Sequence, residues 1–151
     1  MPKQIEIDRK IVIAADEVAV VKPDGNSPML IQAASELRSC LGQPQADAST
    51  KPASFTIALQ LLEPGTTDLS SLHNADQAYR IAPDSNHEPK ALIIRATHPR
   101  GLYYGAKTLQ QLLRARTRDG RVEIPLARIT DSPDLEDRGL WGAENFDHIP
   151  W

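Results

Sequence analysis

Gly101-Leu102-Tyr103-Tyr104-Gly105-Ala106-Lys107-Thr108-Leu109-Gln110-Gln111-Leu112-Leu113 is the stretch on which the fold turns. Leu102, Ala106, Leu109 and Leu113 fall four, three and four residues apart and so share one face of a helix. A helix with one apolar stripe covers a flat partner and shows its other side to water. Gly105 lies beside the stripe. Glycine inside a helix costs up to about 1 kcal/mol against alanine, so Gly105 predicts a close approach of the helix backbone to a sheet. His98-Pro99 opens the element, which gives His98 a turn or cap role. Tyr103 and Tyr104 are adjacent and diverge around the helix, so one is expected in the core and the other at its rim.

Upstream of this helix the period changes from 3.6 to 2. Residues 78–82 and Ala91–Ala96 read as strands, with a polar connection over residues 83–90. Phe55, Ile57, Leu59 and Leu61 alternate with Thr56, Ala58 and Gln60, which predicts another strand. Residues 63–74 and 43–54 read as loops, with Pro64-Gly65 as a turn. A first helix starts at Ser27-Pro28, a capping residue followed by proline at the first helical position. Its apolar face is Leu30, Ala33, Ala34, Leu37 and Leu41, and Gly42 with Pro44 ends it. Residues 22–26 form a turn. Before them, Ile5 and Ile7 alternate with polar residues in one strand, and Val18–Val21 is another short one. Ile11, Val12 and Ile13 are consecutive and β-branched, which predicts a strand covered on both faces.

Downstream, residues 122–124 and 127–129 read as short strands split by Pro125. The element order predicts an α+β (α/β two-layer) fold: one mixed, mainly antiparallel β-sheet with two amphipathic helices on one face.

Composition agrees with one globular domain. The chain has 151 residues, 40% hydrophobic and 25% charged, with 12 prolines and a formal net charge of -3. Those values exclude a wholly disordered chain. The longest apolar runs, residues 11–15 and 18–21, fall far short of the roughly 20 residues a membrane helix needs, so no membrane partner is expected. Cys40 is the single cysteine; it makes no internal disulfide and reads as a small packed side chain.

Motifs that carry chemistry are few. No phosphate-binding glycine loop, dinucleotide fingerprint or nucleophile elbow is present. His73, His87, His98 and His148 have no metal-ligand spacing, so no metal or other cofactor is expected. His73 and His87 lie in polar, solvated loops. Arg114, Arg116, Arg118 and Arg121 complement a helix C-terminus. The acidic balance and the lack of an aromatic platform argue against nucleic acid as a partner.

The last stretch differs in kind. After Ile129-Thr130-Asp131-Ser132-Pro133 comes an acidic turn, then Arg138-Gly139-Leu140-Trp141, and the sequence closes on Glu144-Asn145-Phe146-Asp147-His148-Ile149-Pro150-Trp151. Two readings stand. Tryptophans, an arginine, a histidine and carboxylates together make a sugar or substrate pocket, or the tryptophans simply dock a terminus on the domain.

Three blocks in order give the sequence a resemblance. They are Ala78-Tyr79-Arg80-Ile81 with the strand after it, the helix quoted above, and Ile124-Pro125 with Ile129-Thr130-Asp131-Ser132-Pro133 and Arg138-Gly139-Leu140. The helix follows Gly-x-x-x-Gly-x-x-Thr-Leu-x-Gln-Leu. Together they resemble the small domain that precedes the catalytic barrel in glycoside hydrolase family 20, the β-N-acetylhexosaminidases. The resemblance covers about the second half of the chain.

The resemblance implies a non-catalytic accessory domain over residues 1–131. It makes residues 132–151 a linker and the start of the first strand of a (β/α)8 barrel. That barrel needs on the order of 250 residues more, so this chain carries no catalytic residue. The partners implied are the C-terminal catalytic barrel of the same parent chain and the parent's carbohydrate substrate. An exposed apolar patch is expected where the barrel docks. In the family the arginine of Arg-Gly-Leu binds hydroxyls of the terminal sugar, which makes Arg138 the one substrate-binding residue carried over. Its alternative is an ion pair with Asp134, Glu136 or Asp137. The family's aspartate five residues past that arginine is Ala143 here. The rival readings are a companion domain of an α-glucuronidase-like glycosidase, or a stand-alone carbohydrate-binding or protein-interaction module.

Overall fold

The computed structural model describes residues 4–43, 53–85, 87–114 and 117–134. Its elements are β1 (Gln4–Ala14), β2 (Val18–Val21), α1 (Pro28–Cys40), β3 (Phe55–Leu61), β4 (Tyr79–Pro83), β5 (Ala91–Ala96), α2 (Pro99–Arg114), β6 (Thr117–Arg118) and β7 (Arg121–Asp131). Short 3-10 turns occupy Ala15–Glu17 and Asp68–Ser71. The strands form one seven-stranded sheet in the order β1-β7-β4-β5-β3-β2, with β6 paired to β7.

The sheet is mixed. β2, β3 and β5 run parallel, whereas β4 is antiparallel to both of its neighbours and β1 to β7. The crossovers β2–α1–β3 and β5–α2–β7 therefore join strands of one direction and step the same way along the sheet. Right-handed connections then put both helices on the same face, where they touch: Cys40 lies 3.8 Å from the Gln110 carbonyl oxygen, and Lys107 pairs with Glu36. This is the α+β class expected from the sequence.

Both apolar stripes fall where the spacing puts them. Leu30, Ala33, Ala34, Leu37 and Leu41 are buried, as are Leu102, Ala106, Leu109 and Leu113. They close on Phe55, Ile57, Leu59, Ile81, Leu92 and Ile94 from the sheet in one core. Gly42, at φ +69°, follows the end of α1. Gly105 does what its position in the stripe demands. A Cβ built there would stand 2.5 Å from Ile94 Cγ2 and 3.1 Å from Tyr79 Cδ2. One turn earlier, a Cβ on Gly101 would strike the Ala78 carbonyl oxygen and approach Ala96 Cβ to 2.9 Å.

Four expectations are corrected. The strands around Ile5 and Ile11 are a single strand, β1, with a bulge where the register shifts between Ile7 and Lys10; the extra residue hides the continuity from a period-2 reading. Residues 11–13 are not covered on both faces. β1 is the sheet edge, and Val12 is 54% exposed, with Ile5 and Ile7 also exposed. Residues 122–124 and 127–129 likewise belong to one strand, β7, that runs through Pro125. Proline survives there because β7 pairs with β4 only from Ile129 onward, so Pro125 has a strand on one side alone. Neither Tyr103 nor Tyr104 is a fully buried core residue. Both are half-buried, edge to face with ring centroids 6.0 Å apart, and the Lys107 ammonium lies 5.2 Å from the Tyr103 ring centroid. Beyond these, β6 closes a two-residue hairpin on β7 through Asp119-Gly120, both at positive φ.

Candidate functional site

Three blocks far apart in sequence meet at Tyr79. Its ring is 2% exposed and lies under Gly105. Its hydroxyl is 2.6 Å from Thr108 Oγ1 of α2 and donates to Asp131 Oδ2 at 3.2 Å. Tyr79 is the cross-strand partner of Asp131, so the end of β7 is fixed to β4 by register and side chain together. Beyond Asp131, the Asn74 amide donates to the Pro133 carbonyl at 2.9 Å, and Ser132 is buried. The chain thus leaves the sheet along a defined path before the acidic turn begins. This exit is built from the tyrosine of Ala-Tyr-Arg-Ile, the glycine and threonine of the helix block, and the aspartate of Ile-Thr-Asp-Ser-Pro.

On the face away from the helices lies a cleft of about 510 Å³. Arg9 at the β1 bulge, Ser85 and His87 of the β4–β5 connection, and Arg128 of β7 line it. Arg9 donates to the His87 carbonyl oxygen at 2.9 Å, which ties the bulge to that connection. Among the described residues, no carboxylate lines the cleft. Among the described residues, no group of three or more His, Cys, Asp or Glu could hold a metal ion, and no helix is long and apolar enough to cross a membrane.

The residues singled out by sequence fall as follows. Arg138, Trp141, His148 and Trp151 lie outside the described residues, as does Arg116. His73, His87 and His98 are exposed, and His98 Nδ1 accepts from the Arg100 backbone N–H at 3.3 Å, which is a capping role. Burial pushes the Cys40 thiol up, against the lowering charge of Arg114, which keeps it out of its reactive thiolate form. Arg114, Arg118 and Arg121 are exposed. Among the described residues, the exposed large apolar side chains are Ile5, Ile7 and Val12 of the edge strand, with Val21, Met29, Ile31 and Leu61.

A cluster on the helix-free face escaped the sequence reading. Arg80 donates to Asp68 Oδ2 at 2.6 Å and to Thr130 Oγ1 at 3.2 Å, and Arg95 donates to Gln60 Oε1 at 2.9 Å. The hydrogen bond from Arg80, then that from Thr67, holds the Asp68 carboxyl below the usual carboxylate range. Only the strand register brings these side chains together, and register cannot be read from local periodicity.

The comparisons with known proteins agree with this architecture. The family model described as glycosyl hydrolase family 20, domain 2, matches residues 1–132. No curated protein matches the chain in a sequence search. Among solved structures, the fold is similar to a family 20 exo β-N-acetylglucosaminidase from Vibrio harveyi, at 19% identity and a TM-score of 0.56 over 89% of this chain and 18% of that one. It is similar to a chitobiase from Flavobacterium johnsoniae, at 19% identity and 0.56 over 92% of this chain and 21% of that one. A β-N-acetylhexosaminidase from Streptomyces coelicolor A3(2) gives 21% identity and 0.56, over 88% and 26%. The chain spans about a fifth to a quarter of the length of these enzymes. The match over residues 1–132, read with the three blocks that converge on Tyr79, places this chain in the glycosyl hydrolase family 20 domain 2 family.

Proposed function

We propose that this chain is the non-catalytic companion domain of a β-N-acetylhexosaminidase-like glycoside hydrolase and that it supports a catalytic barrel following it in the parent protein. The observation that carries the reading is the exit at Tyr79, Thr108 and Asp131, where the family's blocks fix the direction of the chain after β7. In this reading residues 1–131 are the accessory domain, and residues 132–151 are the linker and the start of the barrel's first strand. Arg138 then reaches hydroxyls of the terminal sugar, a task suited to a planar fork of N–H donors. The substrate is a carbohydrate carrying a terminal N-acetylated sugar.

The first test is the reading frame past Trp151 in the source DNA. A frame that runs on with strand–helix periodicity for roughly 250 residues supports the proposal; a stop codon there overturns it and leaves a binding or interaction module. With the longer protein in hand, turnover of an aryl N-acetylglucosaminide is measured on both forms. Activity is expected from the longer protein and none from the 151-residue chain. In the longer protein, Arg138→Ala should lower kcat/KM by about tenfold or more, the loss of one or two hydrogen bonds to sugar at about 1.4 kcal/mol per decade. An unchanged kcat/KM would assign Arg138 to an ion pair instead.

A further inference from the structure

The sheet splits beside β7. β1 flanks one side of that strand from Arg121 to Thr130. On the other side β6 reaches only Arg121 and Val122, and β4 joins only from Ile129 onward. Among the described residues, 123–128 thus have no strand partner on that side. The cleft of about 510 Å³ opens there. Ser85, His87 and Pro89 of the diverging β4–β5 connection make one wall, and Leu126 and Arg128 of β7 the other. Asp84 holds the first wall in shape. Its carboxylate accepts from the Lys90 backbone N–H at 3.1 Å, and its own N–H donates to the Ala91 carbonyl oxygen at 3.0 Å. A bulge re-aims side chains, and the bulge of β1 sends Arg9 across to the His87 carbonyl oxygen. That bond uses one of the five guanidinium N–H donors and fixes the group beside the cleft.

We propose that this cleft binds a small organic carboxylate, with its charged end at Arg9 and Arg128 and its apolar body against Pro89 and Leu126. Two guanidinium groups line one cavity, and among the described residues no carboxylate shares it, so the space favours an anion. Glu6 faces Arg128 across the β1–β7 ladder but is no part of the lining. Ser85 and His87 add a hydroxyl and an imidazole for a second polar group of the ligand. The volume suits a ring-sized molecule and far exceeds what a bare inorganic ion fills. A neutral sugar would need a stacking ring, and among the described residues no Phe, Tyr or Trp lines the cleft. A long polyanion would meet the chain's net charge of -3 beyond it. The proposal does not depend on the barrel reading.

The test is titration of the 151-residue chain with benzoate, followed by the His87 ring and arginine Nε–H resonances in NMR. Saturable shifts at Arg9, Arg128 and His87 are expected, with a Kd of about 1–10 mM. Arg80 and Arg95, cross-strand partners elsewhere on the sheet, should stay nearly still. Benzamide has the same shape without the charge and should bind at least about tenfold more weakly. Arg128→Gln should weaken benzoate binding about tenfold, whereas Arg100→Gln, whose guanidinium pairs with Asp76 on another part of the domain, should change it less than about twofold. Arg9→Gln is the second variant: Arg9 is exposed on the edge strand, and its loss should also weaken binding about tenfold. Circular dichroism confirms that each variant is folded before its affinity is read. The proposal is overturned if no saturable shift appears by roughly 50 mM benzoate, if benzamide binds as tightly, or if Arg80 and Arg95 shift as much as Arg9 and Arg128. It is also overturned if inorganic sulfate binds more tightly than benzoate, because the apolar wall then contributes nothing.

Discussion

Tyr79 and Asp131 face each other across the β4–β7 ladder, and the Tyr79 hydroxyl donates to the Asp131 carboxylate at 3.2 Å. Thr108 of α2 completes the contact at 2.6 Å. One phenol therefore ties the second helix, a central strand and the strand from which the chain departs.

Tyr79→Phe keeps the ring and removes this tie. A buried polar group that loses its partner costs about 1–3 kcal/mol, and the Tyr79 site is almost fully buried. The urea midpoint should fall accordingly with the slope unchanged. In the double-mutant cycle with Asp131→Asn, the two losses should sum to more than the double variant shows. Strict additivity would separate the two residues energetically.

Gly101 and Gly105 differ in what an added methyl group meets. At Gly105 it meets the end of the Ile94 side chain and the Tyr79 ring; at Gly101 it meets a backbone oxygen. Alanine gains about 1 kcal/mol of helix propensity over glycine, but overpacking costs about 1–3 kcal/mol. Gly101→Ala should be the more damaging, because the Ala78 carbonyl cannot rotate aside as a side chain can. Thermal melts of the two variants check the order, and a Gly101→Ala protein more stable than wild type would refute the close approach.

How far the sequence carried the fold depended on whether a signal was local. Both helices were legible because their stripes repeat within one element, and the buried residues are those the spacing selects. β3 and β5 were legible because they are central strands with clean alternation. β1 and β7 each look like two pieces in sequence, since a bulge and a proline interrupt periodicity without ending a strand. The exit at Tyr79 was half legible: its residues stood in the quoted blocks, but their meeting depends on the β4–β7 register. The Arg80–Arg95 pair was invisible for the same reason. Arg138 lies outside the described residues, so its role rests on the family's motif.

Glu36 and Lys107 join α1 to α2. Burial raises the Glu36 pKa, but the hydrogen bonds from Lys107 and Gln32, with the charges of Lys107 and Arg114, outweigh it and hold the carboxyl below its usual range. The Lys107 ammonium is held above its usual range chiefly by Glu36. A depressed carboxylate contributes stability above its unfolded pKa and loses it as pH falls through the folded value. A raised ammonium contributes below its unfolded pKa and loses it as pH rises through the folded value. The pair is therefore intact between the carboxylate and ammonium ranges and lost at both ends. Both side chains are partly solvated, so Glu36→Gln at neutral pH should cost about 0.2–1 kcal/mol. The difference from wild type should shrink as pH falls below the ordinary carboxylate range and as it rises above the ordinary lysine range. A difference that does not shrink on acidification would point to packing rather than charge.

The β6–β7 hairpin turns on Asp119 at φ +50° and Gly120 at φ +72°. Two consecutive positive φ values are the signature of a type I′ turn, whose twist matches the strands it joins. The Gly120 carbonyl oxygen also accepts from the Ala15 backbone N–H at 2.8 Å, which anchors the 3-10 turn after β1 to the hairpin. A Cβ at Gly120 would meet no atom within 4 Å, so any cost of Gly120→Ala is conformational and not steric crowding. That cost should be about 1–2 kcal/mol, the price of a left-handed L-residue. Asp119→Asn should be nearly neutral, because asparagine tolerates the same region. Asp119→Val should lose as much as Gly120→Ala or more, since β-branching is least compatible with positive φ. Hydrogen exchange at the Ala15 amide reads the same event locally: its protection should drop in Gly120→Ala and Asp119→Val and stay unchanged in Asp119→Asn. Equal protection in all three variants would mean that the hairpin is held by pairing with β1 through β7, and that the turn geometry contributes nothing to it.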